Sequence, residues 1–111
     1  METVAGILQI TPRELKQRID QGDDIFLLDV REPHERAVCN IGGELIPKNT
    51  VHEHLTRIPR DKEVVVYCRS GGRSQAVAED LKMRYGFNHV LNLMGGMLRW
   101  SDDVDPTITK Y

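Results

Sequence analysis

A chain of 111 residues, 40% hydrophobic and 29% charged, is long enough for one folded domain with a modest core and shows no bias toward disorder or repeats. Its 15 basic and 17 acidic residues leave a formal charge of −2, so no global charge draws it to nucleic acid or to an anionic membrane. The opening Met1-Glu2-Thr3-Val4-Ala5-Gly6 lacks a basic, apolar leader, no stretch nears the roughly 20 apolar residues that span a bilayer, and two cysteines make no disulfide scaffold. The expected setting is cytoplasmic, without membrane association and with free thiols.

Ile7-Leu8-Gln9-Ile10 reads as a short strand. Thr11-Pro12-Arg13-Glu14 then carries a capping-box spacing with proline at the first helical position, and Leu15 and Ile19 share one face, so a helix to about Gln21 is expected. Gly22-Asp23-Asp24 breaks it. The near-continuous apolar run Ile25-Phe26-Leu27-Leu28-Asp29-Val30 suits a buried strand of a parallel sheet. Arg31 to Asn40 is polar, contains Pro33 and reads as a loop. Glu44-Leu45-Ile46 is a weak strand, and Thr50-Val51-His52-Glu53 repeats the capping spacing ahead of a short helix that Pro59 ends. Val64 to Tyr67 is a strand. From Ser74, a plausible cap, Val77, Leu81 and Tyr85 recur at helical spacing until Gly86. Val90-Leu91-Asn92-Leu93 is the last strand, Gly95-Gly96 a turn, and Met97 to Trp100 a short segment closing the core. Alternating strands and helices predict a three-layer α/β domain over residues 1–111, with a small parallel central sheet flanked by helices and with 1–6 and 101–111 peripheral.

Chemistry concentrates where one strand ends: Cys68-Arg69-Ser70-Gly71-Gly72-Arg73-Ser74. A strand that feeds a Gly-rich turn into a helix leaves several backbone N–H groups aimed at one place, which suits a sulfur anion at the mouth of the turn and an anionic reactant above it. Gly71 and Gly72 let the backbone bend without side chains in the way. Ser70 and Ser74 supply hydroxyls, and Arg69 and Arg73 supply guanidinium forks that match paired oxygens. Helix-end amides and two nearby cations favour thiolate over thiol.

This loop resembles the active loop of rhodanese-family sulfurtransferases. Leu28-Asp29-Val30-Arg31-Glu32-Pro33-His34-Glu35 resembles the first signature of that family, Asn40-Ile41-Gly42-Gly43-Glu44-Leu45-Ile46-Pro47 its second, and Leu93-Met94-Gly95-Gly96-Met97-Leu98-Arg99-Trp100 its closing one. The four segments stand in family order and span nearly the whole chain. The resemblance implies a rhodanese-like fold and a cysteine that takes sulfur from thiosulfate or another persulfide donor, becomes a persulfide, and yields it to cyanide, a thiol or a sulfur-carrier protein. Carried over, Cys68 is the nucleophile. Arg69, Ser70, Gly71, Gly72, Arg73 and Ser74 bind substrate and persulfide, and Asp29 with Arg31 gives structural support. No cofactor or metal is implied. The second signature is similar in wording to sulfurtransferase domains attached to activating enzymes for sulfur-carrier proteins, although Cys39-Asn40-Ile41 stands where the family often has Gly-His-Ile.

Two other readings compete. One is a relay or binding module that passes sulfur with a partner protein and does not turn over alone. The other is a small-oxyanion cysteine phosphatase or arsenate reductase. Against the latter, only four residues separate Cys68 from Arg73, and the loop offers no carboxylate to protonate a phosphate-ester leaving group. Cys39 is expected to be packing. His52 and His54, split across the faces of a short helix, lack further ligands for a metal.

Overall fold

The structure, a computed structural model, describes residues 2–111. Its strands are β1 (Thr3–Val4), β2 (Ile7–Ile10), β3 (Ile25–Asp29), β4 (Glu44–Leu45), β5 (Glu63–Tyr67) and β6 (Val90–Leu93). Its α-helices are α1 (Pro12–Asp20), α2 (Pro33–Val38), α3 (Gly72–Met83) and α4 (Gly96–Asp103), and two 3-10 turns cover Lys48–Glu53 and Leu55–Arg57. The strands form one sheet in the order β1-β2-β6-β5-β3-β4. Pairing is parallel throughout except for β1 against β2, so the sheet is mixed at one edge. No helix among the described residues is long and apolar enough to cross a membrane.

Side-chain alternation along the strands builds two cores. Ile7, Val64, Val66 and Val90 face Val77, Ala78 and Leu81 of α3, while Ile10, Val65, Tyr67, Leu91 and Leu93 face Leu15 of α1 and Met97 and Trp100 of α4. This is the expected three-layer α/β arrangement, with the sheet between helices. Cys68 continues the period of β5, so its side chain turns to the α3 face beside Val66.

Several local expectations hold. Thr11 caps α1 through Glu14 N (3.2 Å), and Glu14 Oε1 accepts the Thr11 N–H (2.9 Å). Others change. The polar stretch expected as a loop contains α2, started by Pro33 and by Glu35 accepting the Glu32 N–H at 3.0 Å. The segment after Pro47 winds as 3-10 turns, and the Thr50 hydroxyl donates to the Pro47 carbonyl (3.0 Å) instead of capping an α-helix. Ser74 is not a cap: α3 begins at Gly72, with Gly71 in the left-handed region (φ 101°). In the segment expected as peripheral, β1 folds back on β2 through Ala5 and Gly6, both at positive φ; Met1 lies outside the described residues. At the other end α4 continues to Asp103, and Val104, Ile108 and Tyr111 pack against the α1/α4 core.

Candidate active site

The loop after β5 sits at the C-terminal ends of the parallel strands, where α/β sheets characteristically open a crevice. Cys68 Sγ lies 3.1 Å from Gly71 N, 3.4 Å from Ser74 N and 3.3 Å from Ser74 Oγ. Two main-chain N–H groups thus point at the sulfur. No protein acceptor among the described residues takes the N–H groups of Arg69, Ser70, Gly72 or Arg73. Of six consecutive residues, two therefore have their N–H groups on the sulfur, and the other four have N–H groups free to meet an added anion.

The first two carbonyls of the loop are held elsewhere. Met97 N donates to Cys68 O (2.9 Å) and Leu98 N to Arg69 O (3.0 Å), so the otherwise orphan amides of the first turn of α4 take the loop carbonyls. Gly95 and Gly96 permit this approach. At Gly96 (φ +56°) a Cβ would lie 2.5 Å from both Cys68 O and Arg69 O. Gly71 is confined on its other side, where a Cβ would lie 3.2 Å from Gly95 N. The closing glycine pair and the sulfur loop are one construction.

Cys68 differs from the expected open position: its residue is only 1% exposed. The alternation of β5 turns the thiol inward, and the loop curls over it. The exposed residues of the loop are Arg69, Ser70 and Gly72.

The two loop arginines diverge. Arg73 makes a bidentate pair with Glu35 of α2, Nη1 to Oε1 and Nη2 to Oε2 both at 2.7 Å. Its fork is therefore engaged with a carboxylate. That hydrogen-bonded pair, working against burial, holds the Glu35 carboxyl at about 2, well below its usual 4.5. Arg69 is exposed, with its guanidinium 5.3 Å from the centre of the Tyr111 ring.

Asp29 and Arg31 lie beneath the neighbouring loop and are both fully buried. Arg31 Nε and Nη2 donate to Asp29 Oδ1 (3.0 Å) and Oδ2 (2.9 Å), and Nη2 also reaches Cys39 O (2.7 Å). Arg31 Nη1 reaches Glu35 O (3.4 Å) and Tyr111 O (3.3 Å). A single guanidinium thereby ties β3, both ends of α2 and the C-terminal segment. Burial opposes that charge most strongly of any one influence, but the hydrogen bonds and attraction of Asp29, together with Cys39 and Tyr67, raise the Arg31 pKa. Cys39 is 9% exposed within the α1/α4 core.

Sequence reasoning missed a polar group behind the sulfur. Ser74 Oγ is 2.5 Å from Asn92 Oδ1, and Asn92 Nδ2 is 2.9 Å from Gln9 Oε1. Gln9 and Asn92 are register partners across β2 and β6 and are each 4% exposed. The available signal was an amide at the third position of each of two short apolar runs, Ile7-Leu8-Gln9-Ile10 and Val90-Leu91-Asn92-Leu93. Glu35 was visible within the first signature but had no assigned partner. Among the described residues no group of three His, Cys, Asp or Glu side chains is placed to hold a metal ion.

Comparison with known proteins agrees with this architecture. The family model described as "Rhodanese-like domain" matches residues 11–103. The "Sulfurtransferase" of Allochromatium vinosum is 38% identical over 94 residues, covering 84% of this chain and 87% of that protein. The "Probable adenylyltransferase/sulfurtransferase MoeZ" of Mycobacterium tuberculosis is 37% identical over 105 residues, covering 92% of this chain; the match spans only 26% of that longer protein. The crystal structure of a rhodanese-like domain protein from Staphylococcus aureus superposes with a TM-score of 0.79 at 29% identity, covering 88% of this chain and 95% of that one. With the family match running from the capping threonine of α1 to the last residue of α4, and with the fold superposing on a solved rhodanese-like domain over 88% of its length, the chain belongs to the rhodanese-like domain family.

Proposed function

We propose that this protein is a sulfurtransferase that carries sulfane sulfur on Cys68. The observation that carries the reading is the set of loop donors: Gly71 N–H and Ser74 N–H on Sγ, with four further N–H groups of the same loop that have no acceptor among the described residues. Such a set stabilises negative charge on sulfur without a side-chain acid. The Cys68 thiolate attacks the outer sulfur of thiosulfate, the S–S bond breaks, and sulfite leaves with the bonding electron pair. Cys68 then holds a persulfide whose outer sulfur bears the charge among the N–H groups of Arg69 to Ser74. An acceptor such as cyanide or a thiolate attacks that outer sulfur, and Cys68 leaves as the thiolate. No redox partner is needed, because the sulfur moves at unchanged total oxidation level.

In this reading the main chain holds the anion. Arg73 contributes through Glu35 to loop position, and Arg69 and Ser70, at the exposed rim, meet the incoming donor. The Ser74 N–H supports the inner sulfur, Gly71 and Gly72 give the turn its shape, and Asp29 with Arg31 fixes the adjoining loop. The names of the Allochromatium and Mycobacterium relatives support sulfur transfer as the reaction class. The test is intact-protein mass spectrometry after thiosulfate treatment. The expected species is heavier by one sulfur atom, is lost on adding cyanide, and is absent in Cys68→Ser. Running thiosulfate beside a persulfidated protein donor separates turnover with small molecules from a relay that requires a partner. Failure of both donors to load Cys68 overturns the reading.

A further inference from the structure

The polar residues behind the sulfur form a chain whose direction is set from outside. Gln9 Nε2 lies 3.0 Å from the Ile7 carbonyl, which can only accept, so Gln9 Oε1 is the atom that faces Asn92. Asn92 Nδ2 must donate to it, and the same nitrogen lies 3.3 Å from the Gly71 carbonyl, a second fixed acceptor. Asn92 Oδ1 is therefore turned to Ser74, 2.5 Å from its Oγ. A carbonyl oxygen cannot donate, so the single hydroxyl proton of Ser74 points at Asn92. Ser74 consequently faces Cys68 Sγ, 3.3 Å away, with a lone pair. That lone pair accepts a thiol S–H and opposes a sulfur anion.

We propose that Asn92 is a positioning residue that claims the Ser74 hydroxyl proton, so that Ser74 holds the resting Cys68 as a thiol donating to Oγ. The inference rests on Cys68 being the reacting sulfur, as proposed above. When Cys68 ionises, its proton leaves to solvent and the hydroxyl proton stays on Ser74. The hydroxyl can turn to the thiolate only by abandoning Asn92 Oδ1, which is buried and has no other donor among the described residues. The Gly71 and Ser74 N–H groups are left to carry the anion, and Sγ keeps a lone pair free for attack. The charged groups around Cys68 are Arg69 and Arg73 of its own loop and helix, the latter paired with Glu35 of α2. β2 and β6 present the uncharged Gln9 and Asn92, and α4 presents the Met97 N–H to Cys68 O. A substitution at residue 92 therefore alters no neighbouring charge.

The test is a double-mutant cycle on the titration of Cys68, read by ultraviolet thiolate absorbance with the Cys68→Ser protein subtracted. Asn92→Leu releases the hydroxyl to donate to the thiolate, and the midpoint falls by about one pH unit, the tenfold expected of a charge-assisted hydrogen bond. In a Ser74→Ala background the same substitution moves the midpoint by less than a third of that. An equal shift in both backgrounds means Asn92 acts only through structure and overturns the proposal. Because Asn92→Leu strands Gln9 Oε1 and can compromise folding, the infrared S–H stretch of the unaltered protein supplies a second reading. The Cys68 band, identified by its loss in Cys68→Ser, lies at the lowered frequency of a donating thiol and rises in Ser74→Ala; a band that stays in place also overturns it. Both readouts work without sulfur transfer, so failure of the persulfide assay and failure of the Asn92–Ser74 assignment are distinguishable.

Discussion

Replacing Gly96 with alanine tests whether the docking of α4 orients the sulfur loop. Gly96 sits at φ +56°, where an L side chain costs about 1–2 kcal/mol. Its new Cβ would also stand 2.5 Å from the carbonyl oxygens of Cys68 and Arg69, closer than real Cβ contacts come. Relief requires α4 to retreat from the loop, which breaks Met97 N to Cys68 O and Leu98 N to Arg69 O. At about 0.5–1.5 kcal/mol for each net hydrogen bond, the whole change comes to about 2–5 kcal/mol. For a domain of this size that is a drop in Tm on the order of 10–20 °C. Gly22→Ala is the control. Gly22 has φ +79° but no atom of the described residues within 4 Å of the added methyl, so it incurs only the backbone cost of about 1–2 kcal/mol. Urea unfolding of both variants gives the stability difference, and persulfide formation on Cys68 reads the loop, with a fall of about tenfold or more expected for Gly96→Ala alone. If the two variants unfold at the same urea concentration, the carbonyl contacts do not hold the loop and the reasoning fails.

The Glu35–Arg73 pair makes a pH prediction. Because the folded Glu35 carboxyl titrates at about 2 instead of 4.5, the pair stabilises the fold above about pH 4.5, and that contribution drains away as pH falls toward 2. Arg73→Gln is therefore less stable than the unaltered protein by about 1–2 kcal/mol near neutrality, the figure reduced for the partial exposure of Arg73, and the gap narrows through that acid window. Chemical unfolding at stepped pH checks it; a gap constant from pH 7 to 3 refutes it. Arg31→Met leaves the buried Asp29 carboxylate with the residue 31 main-chain N–H (3.1 Å) and the longer Arg36 contact at 3.5 Å, and frees the Cys39 and Tyr111 carbonyls. A loss of about 3–5 kcal/mol follows, measured by urea unfolding, and a loss below 1 kcal/mol would mean that Arg31 does not bind these segments together.

The residues whose meaning is local could be understood one stretch at a time. The apolar runs of β3, β5 and β6, the capping box of α1 and the strand–turn–helix around Cys68 each follow from the periodicity and conformational preference of neighbouring residues, and together they forecast the α/β layers. The misses were short or conditional elements. The six residues of α2 hang on Pro33 and Glu35, and β1 is a two-residue strand whose turn places Ala5 at positive φ with no glycine–asparagine signal to announce it.

Tertiary structure alone decided how distant polar groups pair. Arg73 could serve an anion or a carboxylate with the same fork, and only the placement of α2 sets Glu35 at 2.7 Å. Gln9 and Asn92 are 83 positions apart and become partners because β2 lies next to β6. The chain order by itself determined that Cys68 would stand at the start of a donor-rich turn. Its burial, and the claim of Asn92 on the Ser74 hydroxyl proton, depend on which side of the sheet faces α3 and on carbonyls contributed from other strands and loops. Hydrogen bonds act over about 3 Å, so a preference encoded along the chain can supply the donors, but only packing in three dimensions can choose their acceptors.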